Sequence, residues 1–459
     1  MGAAIVSDVC RAGEKLLYVS APEIGDARAQ VDYYLSLLPL APGEELADRR
    51  ERVSLVSVAD SSFRWLSTKL VDQQSEESAE ARERIRDFVR RERGVGSQVW
   101  FSCYEPSENI ERLAAGLGVA CDQASSRYIG LGTKATGRRL FASLGIEVPA
   151  GIEECRSVQG LASALAGLVR QGYRKFVLKL NCTEFDGGGL GNALVDLSDL
   201  IDLDAAGDLT AGIAARLEDA HPVDSKIDWP YFASLIGRCG VVAEELIEAD
   251  ELRSPSYQGV VDADGHVITI STHEQFLSGE GQIYAGCLFP AAEDYRSLII
   301  DYGVKVGRRL AEIGVRGGDF GVDFVAVRAE GGGWQLLGCE LNLRATATKH
   351  GFLMATSLLG ALPDEAGRIF VDGAERVYHA TDGIIDSRYL GLHPSQLIAA
   401  VRESGLGYDH DRKTGVVLHM MSAVTHFGKF GAVGIGEDQA QAAALISGLR
   451  DLADGLVRC

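Results

Sequence analysis

Two short segments near residue 330 constrain this chain more than any other stretch: Phe320-Gly-Val-Asp323-Phe-Val-Ala-Val327 and Trp334-Gln-Leu-Leu-Gly-Cys-Glu340-Leu-Asn342-Leu-Arg344, separated by a glycine turn at Gly331 to Gly333. A hairpin closed symmetrically on that turn makes the numbers of facing residues sum to about 663, which sets Asp323 opposite Glu340. Strand alternation then puts Glu340, Asn342 and Arg344 on one side, with Cys339, Leu341 and Leu343 packed behind. Facing like charges repel unless something cationic sits between them, and Asp, Glu and Asn oxygens beside an open position suit a Mg2+ ion shared with phosphates. Asp323, Glu340 and Asn342 are therefore candidate metal ligands. An ordinary hairpin with solvated acids is the alternative, and the segment alone leaves it open.

At 459 residues the chain exceeds what one hydrophobic core usually serves, so two or three domains are expected. Hydrophobic residues, at 46%, are ample for such cores. The net charge of -20 opposes binding to a phosphate backbone, and nucleic acid is not an expected partner. No apolar run approaches the ~20 residues of a membrane helix, and Met1 to Cys10 lacks the regions of a secretory signal. A cytoplasmic location without membrane association follows as the expectation. The nine cysteines are scattered without a C-x-x-C pair, which indicates neither a disulfide framework nor a zinc site but reduced, mostly buried thiols.

Strand and helix signals alternate through the first ~130 residues: strand Lys15 to Ser20, helix Ile24 to Leu38, strand Val53 to Ala59, helix Ser78 to Arg93, strand Gln98 to Cys103, helix Glu108 to Leu117. This alternation implies a small parallel sheet covered by helices, with the charged stretch from Gln73 to Arg93 as a solvated helix face. A second region begins near Gly130, with helices Thr133 to Leu144 and Ser157 to Gln171 and a strand Lys175 to Asn181. A strand Val241 to Ile247 and a hairpin Gln258 to Ile270, turning at Asp264-Gly265, precede the acidic hairpin. Beyond Pro363, strand signals (Arg368 to Val371, Arg376 to His379, Val416 to Met421, Ala432 to Ile435) alternate with helices (Pro394 to Ser404, Asp438 to Leu456). The expected fold class is α/β, in part α+β, with boundaries at residues 1–130, 131–360 and 361–459.

Along Lys175 to Asn181, alternation turns Val177, Lys179 and Asn181 one way and Phe176, Leu178 and Leu180 the other. A lysine within an apolar strand is costly to bury unless its ammonium meets an anion. The next segment, Thr183-Glu-Phe-Asp-Gly187-Gly188-Gly189-Leu-Gly191-Asn192, has small residues that let backbone N–H groups approach phosphate oxygens. Lysine followed by a glycine flap suggests triphosphate binding. The run Val241-Val-Ala-Glu244-Glu245-Leu-Ile247-Glu-Ala-Asp-Glu251 adds acids at a strand end, which without context is equally a strand entering a polar loop.

The ordered set Lys134, Lys179, Gly187 to Gly191, Glu244 to Glu251, Asp323 and Glu340-x-Asn342-x-Arg344 resembles the ATP-grasp superfamily of carboxylate–amine ligases. Within it, the whole chain is similar to peptide ligases of the pheganomycin type, whose ATP-grasp fold follows a Rossmann-like pre-ATP-grasp domain. The resemblance implies ATP and Mg2+ as cofactors, with Lys134 and Lys179 on the phosphates and the flap glycines Gly187, Gly188, Gly189 and Gly191 over them. It places Glu244, Glu245 and Ile247 around the adenine, the last two through backbone groups. Glu251 would hold the ribose hydroxyls, although Ala249 stands where many relatives carry glycine. Asp323, Glu340 and Asn342 would bind Mg2+, and Arg344 and Lys179 would act in catalysis, Arg344 facing the reacting carboxylate. The implied reaction makes an acyl phosphate and then an amide, in natural-product or antibiotic biosynthesis. The implied partners are a small carboxylic acid, amino-acid-like and guanidino-modified, and the amino terminus of a peptide. A homodimer is compatible with this reading.

Two rivals remain in view. One is an ATP-grasp ligase joining two free amino acids; the other is a nucleotide-binding protein without catalysis. Gly130-Leu-Gly132-Thr-Lys-Ala135 matches a dinucleotide fingerprint in spacing, but it lacks the preceding strand of a βαβ unit. Gly428-Lys429 is no phosphate loop, because Phe430 replaces the required Ser or Thr, and Lys429 is expected on the surface. His273 and His426 are read as structural, and Arg253 and Arg296, which could reach a substrate carboxylate, as solvated, the commoner outcome.

Overall fold

The computed structural model describes residues 1–9, 13–40, 42–182, 191–203, 208–278, 281–329 and 331–458. The chain divides into two compact units, one formed by residues 1–126, 286–290 and 345–459, the other by 127–285 and 291–344. Residues 361–459, read from the sequence as a subdomain of their own, share the first unit with residues 1–126.

In the first unit, the strand Leu16–Ser20 pairs in parallel with Val53–Ser57, and Trp100–Phe101 pairs in parallel with Ala120–Cys121. The single small parallel sheet expected from the alternation is thus two separate two-stranded sheets. The strand expected at Gln98 to Cys103 contracts to two residues. The helix Glu76–Gly94 starts where the Ser75 side chain accepts from the Ser78 N–H. Ala81, Ile85 and Val89 recur every four residues and form its buried face. Its charges pair on the outside, Glu83 with Arg86 and Arg90 and Asp87 with Arg90, as a solvated helix face should. The carboxy-terminal part of this unit carries the antiparallel strands Ala374–Ile385, Lys429–Gly436 and Gly415–His419 and the helices Pro394–Ser404 and Gln439–Leu456. Tyr33 ties the two ends of the sequence together, accepting at its hydroxyl from the Leu418 N–H at 2.9 Å.

The second unit holds two antiparallel arrays. Five strands run in the order Gly151–Cys155, Val241–Glu245, Lys175–Leu180, Asn192–Asp196, His221–Pro222. Phe176, Leu178 and Leu180 enter a core shared with Leu161 and Leu165 of the helix Val158–Arg170 and Phe232 of the helix Trp229–Cys239. This is the side of the strand expected to be apolar, and it leaves Lys179 on the other. Four longer strands, Trp334–Asn342, Gly318–Arg328, Leu252–Val261 and Val267–Ser278, form the second array. The helix Glu293–Ile313 packs on it through two glycines. A Cβ at Gly303 would lie 2.3 Å from a Tyr257 ring carbon, and one at Gly307 2.7 Å from Phe320, so only glycine admits this approach.

Among the described residues, no helix is long and apolar enough to cross a membrane, and the described cysteines are thiols. His273 is fully buried, opposite Ser256, and burial lowers its pKa to about 3, in line with a neutral structural role. Arg296 is buried and donates to the Ala291 carbonyl, which corrects its expected solvation. Lys429 is half-buried and pairs with Asp382, a correction to its expected surface position.

Candidate nucleotide and metal site

Asp323 lies opposite Glu340 and Gly321 opposite Asn342, as expected, but the pairs next to the turn, such as Arg328 with Trp334, are one residue out of that register, so the turn alone would face Asp323 with Cys339. The register then slips between Asp323 and Phe324, so that Phe324 faces Gly338 and Cys339 is the extra residue of a bulge. This overturns the packing expected for Cys339. Instead of lying behind the hairpin, its sulfur sits 3.4 Å from Lys179 Nζ, because the inserted residue breaks the strict alternation. Leu341 and Leu343 are buried as expected.

Gln275 Nε2 donates to Asp323 Oδ1 at 2.6 Å, and Asn342 Nδ2 donates to Asp323 Oδ2 at 2.9 Å. Burial, and next the Glu340 carboxylate, push the Asp323 carboxyl up to about 7, against the opposing pull of the Gln275 hydrogen bond and of Arg344 and Lys134. Asn342 is buried, and its Oδ1 has no hydrogen-bond partner among the described residues. Two carboxylates that resist ionising together, beside an orphaned amide oxygen, make a donor set of hard oxygens that a divalent cation would satisfy. Asp323, Glu340 and Asn342 thus fit Mg2+ on the chemistry of their own environment.

Lys134 opens the helix Lys134–Ser143, and its Nζ lies 2.8 Å from Glu340 Oε1. Two contacts fix that helix end. Asn181 Oδ1 accepts from the Ala135 N–H at 2.9 Å, joining it to the strand of Lys179, and Gly132 meets the hairpin so closely that a Cβ would lie 3.1 Å from the Leu341 carbonyl. The turn Ser126–Gly132 before it is 3-10 helix, not strand, so the dinucleotide fingerprint lacks its context.

Lys179 is buried, and its ammonium is held by the Glu244 carboxylate, whose other oxygen takes Arg138 Nη1 at 2.7 Å. Burial works against the Lys179 charge, but Cys339, Glu244 and Glu340 outweigh it and hold the pKa above its ordinary value. Burial likewise works to raise Glu244, and Lys179 and Arg138 overcome it, keeping the carboxyl ionised below the usual range. The Glu244 carboxylate, expected at the adenine, is therefore occupied by two cations.

The strand Val241–Glu245 stops two residues short of the expected Ile247. The Glu245 N–H goes to the Ala150 carbonyl at 2.7 Å and the Leu246 N–H to the Lys175 carbonyl at 2.8 Å. Glu251 lies between Arg253, at 2.7 Å, and Arg328, at 3.7 Å, and both guanidinium groups stack on Trp334. Arg253, expected as solvated, is engaged on both counts. Of the flap, Gly187, Gly188 and Gly189 lie outside the described residues; the Gly191 carbonyl accepts from the Leu180 N–H at 2.9 Å.

Arg138 and Gln275 escaped the sequence reading. Arg138 follows Lys134 by one helical turn and so shares its face. Gln275 faces Ser254 only because the register shifts by one residue between Gln258 and Gly259, and its strand runs to Ser278, eight residues past the expected end at Ile270.

The family model described as PGM1 C-terminal domain matches residues 396–449. The L-propargylglycine--L-glutamate ligase of Streptantibioticus cattleyicolor is 28% identical over 428 residues, spanning 92% of this chain and 82% of that protein. Among solved structures, biotin carboxylase from Campylobacter jejuni aligns with a TM-score of 0.56 at 13% identity, covering 100% of this chain and 92% of that one. N5-carboxyaminoimidazole ribonucleotide synthetase from Thermus thermophilus aligns at 0.54 and 14%, covering 98% and 96%. The chain has the ATP-grasp fold that its motif order announced.

Proposed function

We propose, from the premise of an ATP-grasp fold with ATP-dependent carboxylate–amine ligase chemistry, that this chain joins an amino-acid-like carboxylic acid to the amine of a second amino acid or of a peptide. ATP and Mg2+ are its cofactors. The observation that carries the reading is the cluster of Asp323, Glu340 and the orphaned Asn342 Oδ1, with Lys134 at 2.8 Å from Glu340.

In this reading Asp323, Glu340 and Asn342 would hold Mg2+, which would supply countercharge to the phosphates. Lys134 and Lys179 turn from their carboxylates toward the triphosphate and supply further countercharge. The adenine takes the carbonyl of Glu245 and the N–H of Ile247, since the N–H groups of Glu245 and Leu246 are already engaged. Glu244 acts there through the cations it holds, Glu251 takes the ribose hydroxyls, and Gly187, Gly188, Gly189 and Gly191 cover the phosphates. Arg344, two residues past the end of the strand that carries Glu340 and Asn342 and near enough to pull on the Asp323 carboxyl, orients the donor carboxylate for attack on the γ-phosphorus. The resulting acyl phosphate, with ADP released, is then cleaved by the acceptor amine, which expels phosphate and forms the amide. We place this enzyme in the cytoplasm.

Two acceptors are in question. A peptide amino terminus, with a guanidino-modified acid as donor in natural-product biosynthesis, follows from the motif resemblance; a free amino acid is favoured by the relative named for joining L-propargylglycine to L-glutamate. Incubating the protein with ATP, Mg2+, a panel of amino-acid donors and both acceptor classes, with products identified by mass, decides between them. Amide formation with ADP release is expected, and phosphate release without any amide across the panel would sink the ligase reading.

A further inference from the structure

Glu244 is 2% exposed, carries one negative charge and meets two positive ones, Lys179 on one oxygen and Arg138 on the other. Arg138 is itself 6% exposed. Its Nη1 donates to Glu244 and its Nη2 to the Pro149 carbonyl at 2.9 Å, so two donors are anchored at once. Gly151 leaves the room for this, since a Cβ there would lie 3.2 Å from Nη2. Arg138 thus stands on a fixed fork, whereas Lys179 holds Glu244 through a single flexible ammonium.

A buried carboxylate left without countercharge is strongly destabilising. If Lys179 were the only partner of Glu244, no phosphate could draw it away without stranding that charge. We propose that Arg138 is a positioning residue for nucleotide binding: it keeps Glu244 neutralised from the fixed side, so that Lys179 can leave the carboxylate for a phosphate oxygen. The three side chains sum to one positive charge, and that surplus is what the nucleotide meets. Arg138 itself touches no substrate. The proposal rests on the reading of Lys179 as a phosphate contact.

The test compares Arg138→Met, Arg138→Lys, Glu244→Gln/Arg138→Met and Lys179→Met by ATP calorimetry and by steady-state kinetics. In Arg138→Met, ATP affinity should fall by about 10- to 100-fold, the range for one charged hydrogen bond, with KM for ATP rising in step. Turnover at saturating ATP should fall by a smaller factor than ATP affinity does, because the group removed holds no reacting atom and acts only through Lys179. The double variant has no buried anion to hold Lys179, so its ATP affinity should return toward the parent value. Arg138→Lys, which keeps the charge, should recover most of the loss. Unchanged affinity in Arg138→Met overturns the proposal. So does a double variant that binds ATP no better than Arg138→Met, since a merely structural arginine is not rescued by neutralising Glu244. If Arg138→Met does not fold, the double variant and Arg138→Lys carry the same decision. Unaltered ATP affinity in Lys179→Met would overturn the phosphate role of Lys179, a failure distinguishable from that of Arg138.

Discussion

Asp323→Asn and Glu340→Gln should each lower turnover by roughly 10^3-fold while the protein stays folded. Two carboxylates oppose each other across the hairpin, and Asn342 Oδ1 has no partner among the described residues. Removing one charge removes a ligand that stabilises transferring phosphate by several kcal/mol, and each 1.36 kcal/mol is a factor of ten. Asparagine keeps one oxygen to accept from Gln275, and its amide N–H can donate to Asn342 Oδ1 once that amide turns over, so the fold loses little. A pH effect accompanies this. The folded Asp323 keeps its proton up to about 7, whereas an unfolded aspartate ionises near ~3.9. Between those values the folded state binds more protons, so metal-free stability should fall as pH rises from about 4 to 7 and level off above. Asp323→Asn should abolish that fall. Because metal must displace the same proton, the Mg2+ concentration for half-maximal activity should rise as pH drops below about 7. Titration of activity against Mg2+ at pH 6 and 8 checks this; a variant with parental activity at limiting Mg2+ would contradict the clamp.

Lys179→Met should weaken ATP binding by about 1.5 to 3 kcal/mol, the range for a charged hydrogen bond, because methionine keeps the aliphatic stem and loses the ammonium. The structure adds a second expectation. Removing one partner of a buried ion pair costs ~3–5 kcal/mol when it strands a charge, but Glu244 keeps Arg138 at 2.7 Å. The loss of stability should therefore fall below that range. Calorimetry with ATP and chemical denaturation of the free protein measure the two quantities separately, and intact ATP affinity with large destabilisation would make Lys179 structural.

The parts of this site that were legible in the sequence are those set by local rules. The sidedness of Lys179 follows from the period of a strand, and the glycine turn sets the hairpin to within one residue, the bulge at Cys339 supplying the last step that brings Asp323 opposite Glu340. The bulge at Cys339 was not legible, because one inserted residue leaves no mark in the composition of the strand that carries it. Arg138 reads as an ordinary helix arginine until the strand bearing Glu244 is laid beside it. The helix Glu293–Ile313 was missed although it has 21 residues. Its buried face runs through Tyr295, Arg296, Ile299, Gly303, Val306, Gly307 and Leu310, and at three of those seven positions arginine or glycine hides the apolar stripe. The closeness that makes glycine necessary there also removes the signal. The joining of residues 1–126 with 345–459 depends on contacts such as Tyr33 with Leu418, which no local pattern announces.

The central claim is that a carboxylate is activated by phosphorylation in front of Arg344 and then passed to an amine. The most direct measurement uses a donor acid labelled with oxygen-18 in its carboxylate, together with ATP, Mg2+ and an acceptor amine. Attack of that carboxylate on the γ-phosphorus makes one donor oxygen the bridge of an acyl phosphate, and the amine then expels it with the phosphate. The account predicts one label in the inorganic phosphate, ADP as the nucleotide product and one new amide per ATP consumed. AMP with pyrophosphate, or unlabelled phosphate accompanying amide formation, would contradict it.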